Sequence, residues 1–116
     1  MMETRYEAVY CIVNSGFAEA AMDAARKAGA RGGTILAGRG TASRDAETKF
    51  NIRIQPEKEM LLILVPAEIK DQVLRALYDS AGLDSAGQGI AFSMPVEKTV
   101  GLSMPQKEET KESNEA

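Results

Sequence analysis

The 116-residue sequence predicts a single α+β domain with the element order βαββαβ, and three features support this fold. Four segments are rich in β-branched, aromatic and other apolar residues and are flanked by Gly, Pro, Asn or Ser, a pattern that is typical of strands. Two intervening segments carry apolar residues at helical spacing. The length fits one domain that buries roughly two-thirds of its unfolded surface, which is enough for a core without disulfides or structural metal.

The first predicted strand is Tyr6 to Val13, and the turn-forming residues Asn14-Ser15-Gly16 end it. The first helix begins near Phe17 and ends at Gly29, because its apolar residues recur at helical spacing and basic residues occupy its last turn. A short second strand is predicted over Gly33 to Ala37.

The third strand is Met60 to Val65, and Pro66 marks the entrance to the second helix. Ile69, Val73, Leu74 and Leu77 form one face of that helix, which Gly82 ends. Alternating apolar residues predict a fourth strand over Ile90 to Val96. This order is the ferredoxin-like arrangement, a four-stranded antiparallel sheet with both helices on one face.

The first and third strands are apolar on both faces, which is typical of strands buried on both sides. Two helices cover only one face of a four-stranded sheet, so subunits of a closed symmetric oligomer are expected to cover the other. The alternative is that this face stays solvated and that central strands are simply rich in apolar residues.

The composition argues against an enzyme, because the chain has no His and one Cys, Cys11. Catalytic triads, His-activated nucleophiles and zinc sites are therefore not expected, and a carboxylate enzyme built on Asp84 is the weaker alternative. The longest apolar run, Met60 to Val65, is far shorter than the roughly 20 residues of a membrane-spanning helix. We expect a cytoplasmic protein with no metal site, no nucleic-acid partner and no membrane insertion.

Four further segments stand out: two clusters of glycines, one long connection and a charged tail. Glycines cluster from Gly29 to Gly40 and again from Gly82 to Gly89, where they allow a backbone to approach a ligand or simply make bends. The 17 residues from Arg39 to Gln55 join two strands that a hairpin of two to five residues would connect, so we expect either partner contact or plain flexibility there. Residues 103–116 are charged and poor in apolar residues, which predicts a disordered tail after a domain spanning 1–102.

The chain resembles the P-II nitrogen regulatory signalling proteins and their P-II-like relatives over about Tyr6 to Leu102. The resemblance rests on the element order and on four local sequences: GARGGTIL after the first helix, GRG at Gly38, LVP at Leu64, and the glycine-rich loop from Gly82. It implies a homotrimer with adenine nucleotides bound in clefts between subunits. It also implies that the long connection, the T-loop of the family, contacts a regulated transporter, enzyme or regulator.

The resemblance also implies positions for the ligand and the partner. Gly32 and Thr34 fall where the family holds the adenine, Val65 where it lines the base, and Gly87 and Gly89 where it wraps the phosphates. The remaining expected ligand-binding residues are Gly38, Arg39, Gln88 and Lys98. The expected partner-binding residues in the T-loop are Arg44, Lys49, Phe50 and Arg53.

This sequence departs from the family pattern around the phosphates. The glycine-rich loop lacks the family's closing Lys, and only Lys98 is basic after the fourth strand, where the family has two Arg. These departures favour ADP or AMP as the effector rather than ATP. The Gln that the family has at the base of the T-loop has no counterpart in Thr41-Ala42-Ser43, so 2-oxoglutarate sensing is not expected. The alternative is a ferredoxin-like module of the ACT or divalent-cation tolerance type, which binds a small molecule or a metal without nucleotide.

Overall fold

The structure of the chain is a computed structural model that describes residues 5–41, 56–82 and 84–102. Its strands are β1 (Tyr6–Asn14), β2 (Gly33–Arg39), β3 (Glu57–Pro66) and β4 (Ile90–Val96). The helices are α1 (Ala18–Lys27) and α2 (Lys70–Ala81), and a 3₁₀ turn over Ala67–Ile69 precedes α2. The predicted order βαββαβ is confirmed.

The four strands form one antiparallel sheet in the order β2-β3-β1-β4. Strand β2 continues two residues beyond the predicted end at Ala37, and β3 begins three residues before the predicted start at Met60. The reason is the ladder between them, in which Arg39 pairs with Glu57 at the last position. Backbone pairing thus extends both strands into polar sequence.

One face of the sheet and both helices build the core. Val9, Cys11 and Val13 of β1 alternate with residues on the opposite face, and Leu61, Ile63 and Val65 of β3 do the same. These side chains join one buried cluster with apolar residues of both helices, namely Ala18, Ala21, Met22, Ala25, Val73, Leu77 and Ala81. Both helices therefore lie on the same face, as predicted.

The turn that ends α1 requires glycine. The backbone N–H of Ala30 donates to the carbonyl of Ala25 at 3.0 Å, and Gly29 between them has φ +113°. This is the hydrogen bond of a helix that ends in a left-handed residue, a conformation that glycine adopts without steric cost. Gly29 also leaves little room for a side chain, because a Cβ would lie 3.2 Å from Cδ1 of Ile69.

The opposite face of the sheet, which we call the open face, is apolar. Tyr10 and Phe92 stack on it with ring centroids 5.1 Å apart, which joins β1 to β4. Five apolar side chains on this face are between 41% and 55% exposed, namely Leu36, Leu64, Ile90, Phe92 and Met94. The sequence pattern of strands apolar on both sides is thus present in the structure as an uncovered apolar surface.

Candidate functional site

Strands β1 and β2 end, and β3 and β4 begin, at the same end of the sheet. The register places Lys58 of β3 opposite Gly38 of β2 on one side and opposite Asn14 of β1 on the other. The glycine-rich loop before β4 completes the row. We call this part of the molecule the connection end, because the long connection leaves and rejoins the sheet here.

Asn14 forms hydrogen bonds to several segments at the connection end, and it is only 2% exposed. Its backbone N–H donates to the carbonyl of Gly87 at 2.8 Å. Its side-chain Nδ2 donates to the carbonyl of Ala86 at 3.1 Å and to Oε1 of Gln88 at 3.3 Å. Its Oδ1 accepts a hydrogen bond of 2.6 Å from Nζ of Lys58. Asn14 thus joins the glycine-rich loop to the first residues of β3.

The glycine-rich loop is held by its own bonds as well. The Ser85 hydroxyl donates to the carbonyl of Gly82 at 2.7 Å and accepts from the N–H of Gly87 at 3.2 Å. Gly89 packs against backbone, since a Cβ there would collide with the carbonyl oxygen of Ala81 and lie 2.7 Å from Cγ1 of Val13. Gln88 has φ +48°, an uncommon conformation for a residue with a side chain. The loop is therefore a defined structure at the connection end.

The base of the long connection lies beside this loop. The N–H of Gly40 donates to the carbonyl of Pro56 at 2.6 Å, which closes the connection where it meets the sheet. The aliphatic part of Lys58 lies over Gly40, because a Cβ at position 40 would be 2.8 Å from Cε of Lys58. The predicted partner-binding residues, Arg44, Lys49, Phe50 and Arg53, lie outside the described residues.

The chain belongs to a family whose sequence model covers most of it. The model for nitrogen regulatory protein P-II matches residues 7–104. This chain is a member of the P-II family. No curated protein sequence gives a significant match.

Solved structures resemble the P-II chain in fold. A PII-like signalling protein from Thermus thermophilus is 19% identical, with a TM-score of 0.60 over 80% of this chain and 87% of that one. Arabidopsis thaliana PII bound to citrate is 22% identical, with a TM-score of 0.60 over 81% and 77%. CPII from Thiomonas intermedia, a nitrogen regulatory PII-like protein bound to ADP, AMP and bicarbonate, is 21% identical, with a TM-score of 0.58 over 79% and 90%. At these identities the likeness shows a shared fold.

Several residues expected to bind ligand in this P-II chain lie at the connection end, next to opposite edges of the sheet. Gly38 and Arg39 end β2 there, and Gly87, Gln88 and Gly89 lie in the loop on the other side of Asn14. Gly32 lies just before the edge strand β2 and Thr34 near its start, and Thr34 is about 13 Å from Gly38 at the usual rise of a strand. Gly32 is exposed, and a Cβ there would meet no atom within 4 Å.

Two expected ligand residues lie elsewhere. The side chain of Val65 is fully buried in the core under the helices, so it has no surface to offer a ligand, whereas its neighbour Leu64 is 41% exposed on the open face. Lys98 follows β4, whose last residue pairs with Tyr6 at the opposite end of the sheet. Because β4 spans about 20 Å, one chain does not bring Lys98 near Gln88.

Sequence reasoning missed three residues of this P-II chain that organise the connection end: Asn14, Lys58 and Glu59. Oε1 of Glu59 accepts hydrogen bonds of 3.1 Å from the N–H groups of Gly16 and Ala18, and so caps α1 from a neighbouring strand. The sequence marks Asn14 only as part of a turn. The available signal was its place at the end of β1, since the last residue of a strand pairs with a residue at the start of its antiparallel neighbour, which here is β3.

A concavity of about 330 Å³ lies between α2 and β4. Its lining is apolar and includes Cys11, Leu74, Leu77 and Ala91. Burial raises the pKa of the Cys11 thiol from 9.0 to about 11, so this thiol stays protonated at neutral pH. Within residues 5–41, 56–82 and 84–102, no three His, Cys, Asp or Glu residues form a group that could hold a metal ion. No helix in those ranges is long and apolar enough to cross a membrane.

Proposed function

We propose that this member of the P-II family is a signalling regulator that binds ADP or AMP in clefts between the subunits of a homotrimer. Ligand binding is reported to a regulated protein through the long connection. The proposal rests on the connection end. There, hydrogen bonds among Lys58, Asn14 and Gln88 link the base of the long connection to the ordered glycine-rich loop.

The open face supports the assembly. Burying the exposed half of an apolar side chain contributes about 0.7–1.5 kcal/mol, given that complete burial contributes about 1.5–3 kcal/mol. The five half-exposed residues together contribute about 3.5–7.5 kcal/mol per subunit on this basis. Three such faces meeting around an axis would cover one another and leave the helices outside.

The ligand residues support a cleft between subunits rather than a pocket within one chain. Gly38, Arg39, Gly87, Gln88 and Gly89 come from one subunit, at its connection end. Lys98 lies at the other end of its own sheet, so in this proposal the neighbouring subunit contributes it. Thr34 and the exposed side chain of Leu64 replace Val65 as the contacts proposed for the base.

The charges at the connection end favour few phosphates. Arg39 and Lys58 are its described cations, and Lys58 already donates to Asn14 at 2.6 Å. A triphosphate placed against so few donors would leave negative charge uncompensated, which is costly away from water. The Thiomonas protein with ADP and AMP bound shares this fold, which is consistent with the preference.

The proposal is tested by a thermal-shift screen with ATP, ADP, AMP, cyclic nucleotides, 2-oxoglutarate and bicarbonate. A ligand at 100 times its dissociation constant adds about 2.7 kcal/mol of stability, so ADP or AMP should raise the melting temperature by several degrees. The proposed ligand class is wrong if no adenine nucleotide shifts the wild type.

Two glycine variants sharpen the screen. Gly32→Val should melt like the wild type without ligand, since nothing lies within 4 Å of its Cβ, but should lose the ADP shift. Gly33→Val is the contrasting variant, because a Cβ there would lie 2.9 Å from the carbonyl of Leu62 and should destabilise the free protein. A full ADP shift in Gly32→Val would remove Gly32 from the proposed site.

A further inference from the structure

The side-chain amide of Asn14 bridges two segments that are far apart in sequence. On one side it holds Ala86 and Gln88 of the glycine-rich loop, and on the other it accepts from Lys58 at the base of the long connection. We propose that Asn14 is a positioning residue that couples these two segments. A displacement of the loop then shifts Lys58, and a displacement of Lys58 shifts the loop. The use of this coupling in signalling rests on the proposed function, whereas the coupling itself does not.

Chemistry fixes the orientation of the Asn14 amide. The ammonium of Lys58 only donates hydrogen bonds, so it requires Oδ1, and the carbonyl of Ala86 only accepts, so it requires Nδ2. A rotated amide would place oxygen against carbonyl and an NH₂ group against ammonium. The Lys58 bond therefore holds the amide in the one orientation that also binds the loop.

Burial makes the two sides depend on each other. Asn14 is 2% exposed, so water does not readily replace a partner that moves away. The loop needs this support because Gln88 adopts φ +48°, an uncommon conformation for a residue with a side chain. The side-chain Oε1 of Gln88 accepts a hydrogen bond from Nδ2 of Asn14. Loss of the Lys58 donor should thus loosen the loop through the Asn14 amide.

Lys58 extends the link to the connection. Its aliphatic chain occupies the space over Gly40, where an added Cβ would lie 2.8 Å from Cε, and the Gly40 N–H closes the connection onto Pro56. The ammonium end and the stem of Lys58 therefore contact Asn14 and the base of the connection at the same time. A shift of the amide displaces a side chain that lies against this base.

The coupling is tested in the free full-length protein by amide hydrogen exchange at Gln88 and Gly89, whose N–H groups donate to Ser85 and Ala81. Lys58→Met keeps the stem but removes the donor, and should raise exchange at these two amides by about tenfold or more. Gly40→Ala, which displaces the Lys58 stem, should act in the same direction. Lys58→Arg restores a donor and should restore protection, and Lys27→Met on the exposed surface of α1 is the matched control.

Unchanged protection in Lys58→Met, with the fold intact by circular dichroism, overturns the coupling. Equal loosening in Lys58→Met and Lys27→Met also overturns it, since the effect would then be nonspecific. Asn14→Asp gives an independent check, because it keeps an acceptor for Lys58 but places an oxygen against the carbonyl of Ala86. It should loosen the loop even though Lys58 is still held.

The same samples with ADP separate this inference from the proposed function. At ADP concentrations that saturate each protein, we expect ADP to slow exchange at the Gly40 amide in the wild type but not in Lys58→Met, which binds ADP more weakly because it lacks one phosphate donor. If ADP does not bind but Lys58→Met still loosens the loop, the nucleotide proposal fails and the coupling stands. If ADP binds and protects Gly40 equally in both proteins, the coupling fails and the nucleotide proposal stands.

Discussion

Replacing Phe92 with Asp tests whether the open face is a subunit interface. Phe92 lies on this face, stacked on Tyr10, and is 42% exposed in the single chain. In a trimer the variant would lose about 1 kcal/mol of apolar burial per subunit and bury an unpaired carboxylate at about 3–5 kcal/mol. The total for three subunits is about 12 kcal/mol or more, comparable with the stabilisation expected from the whole face.

Sedimentation velocity at micromolar concentration measures the outcome. The wild type should sediment with three times the mass of the 12.5 kDa chain, and Phe92→Asp should sediment as a monomer. Tyr78→Asp is the matched control, because Tyr78 is a 60% exposed aromatic residue on α2, away from the open face, and should leave the trimer intact. Phe92→Leu should also remain trimeric. A monomeric wild type, or a trimeric Phe92→Asp, would show that the open face is not a subunit interface.

Three other predictions concern the cap of α1, the buried thiol and the long connection. Glu59→Ala should lower the free energy of unfolding in urea by about 1–2 kcal/mol, because the N–H groups of Gly16, just before α1, and of Ala18, its first residue, lose their acceptor. Replacement of the exposed Glu57 by Ala should change it little. Because the pKa of Cys11 is raised from 9.0 to about 11 in the folded state, the thiol of the unfolded chain ionises first, and the free energy of unfolding should fall by at most about 2.7 kcal/mol between pH 9 and 11. Urea unfolding should show this fall in the wild type and not in Cys11→Ala, and parallel pH profiles of the two proteins would contradict it. Replacing residues 42–54 by a short turn should leave the melting temperature and ADP binding nearly unchanged, because the free-energy cost of closing a loop changes by only about 0.6 kcal/mol per doubling of its length. The same variant should capture no partner protein in a pull-down. Unfolding of that variant would instead show that the long connection contributes to the core.

The elements of the fold were predictable because each has a strong local signal. The apolar run from Met60 to Val65 and the alternation from Ile90 to Val96 both mark strands, and Gly29 marks the end of α1. The strand ends were less predictable, since Glu57 and Arg39 join the sheet through backbone pairing and their polar side chains do not indicate a strand. The apolar open face was predictable from strands that are apolar on both sides.

The candidate site was only partly predictable. Glycines at 38, 87 and 89 were placed at a common site through the family resemblance, and the fold brings them to one end of the sheet. Burial of Val65 depends on which face of β3 lies under the helices, and a strand apolar on both faces does not reveal this. No local motif marks the Lys58–Asn14–Gln88 chain, because Asn14 is separated from its two partners by 44 and 74 positions and meets them only through the sheet register.

Calorimetric titration of the wild-type protein with ADP and with ATP measures whether the connection end binds an adenine nucleotide and which one it prefers. We expect one ADP bound per chain, with ATP binding no more tightly than ADP, because Arg39, Lys58 and a neighbouring subunit's Lys98 offer few donors for a third phosphate. Binding of ATP far more tightly than ADP would contradict the assignment of the phosphate contacts. Absence of heat with either nucleotide would contradict the claim that the connection end binds adenine nucleotides at all.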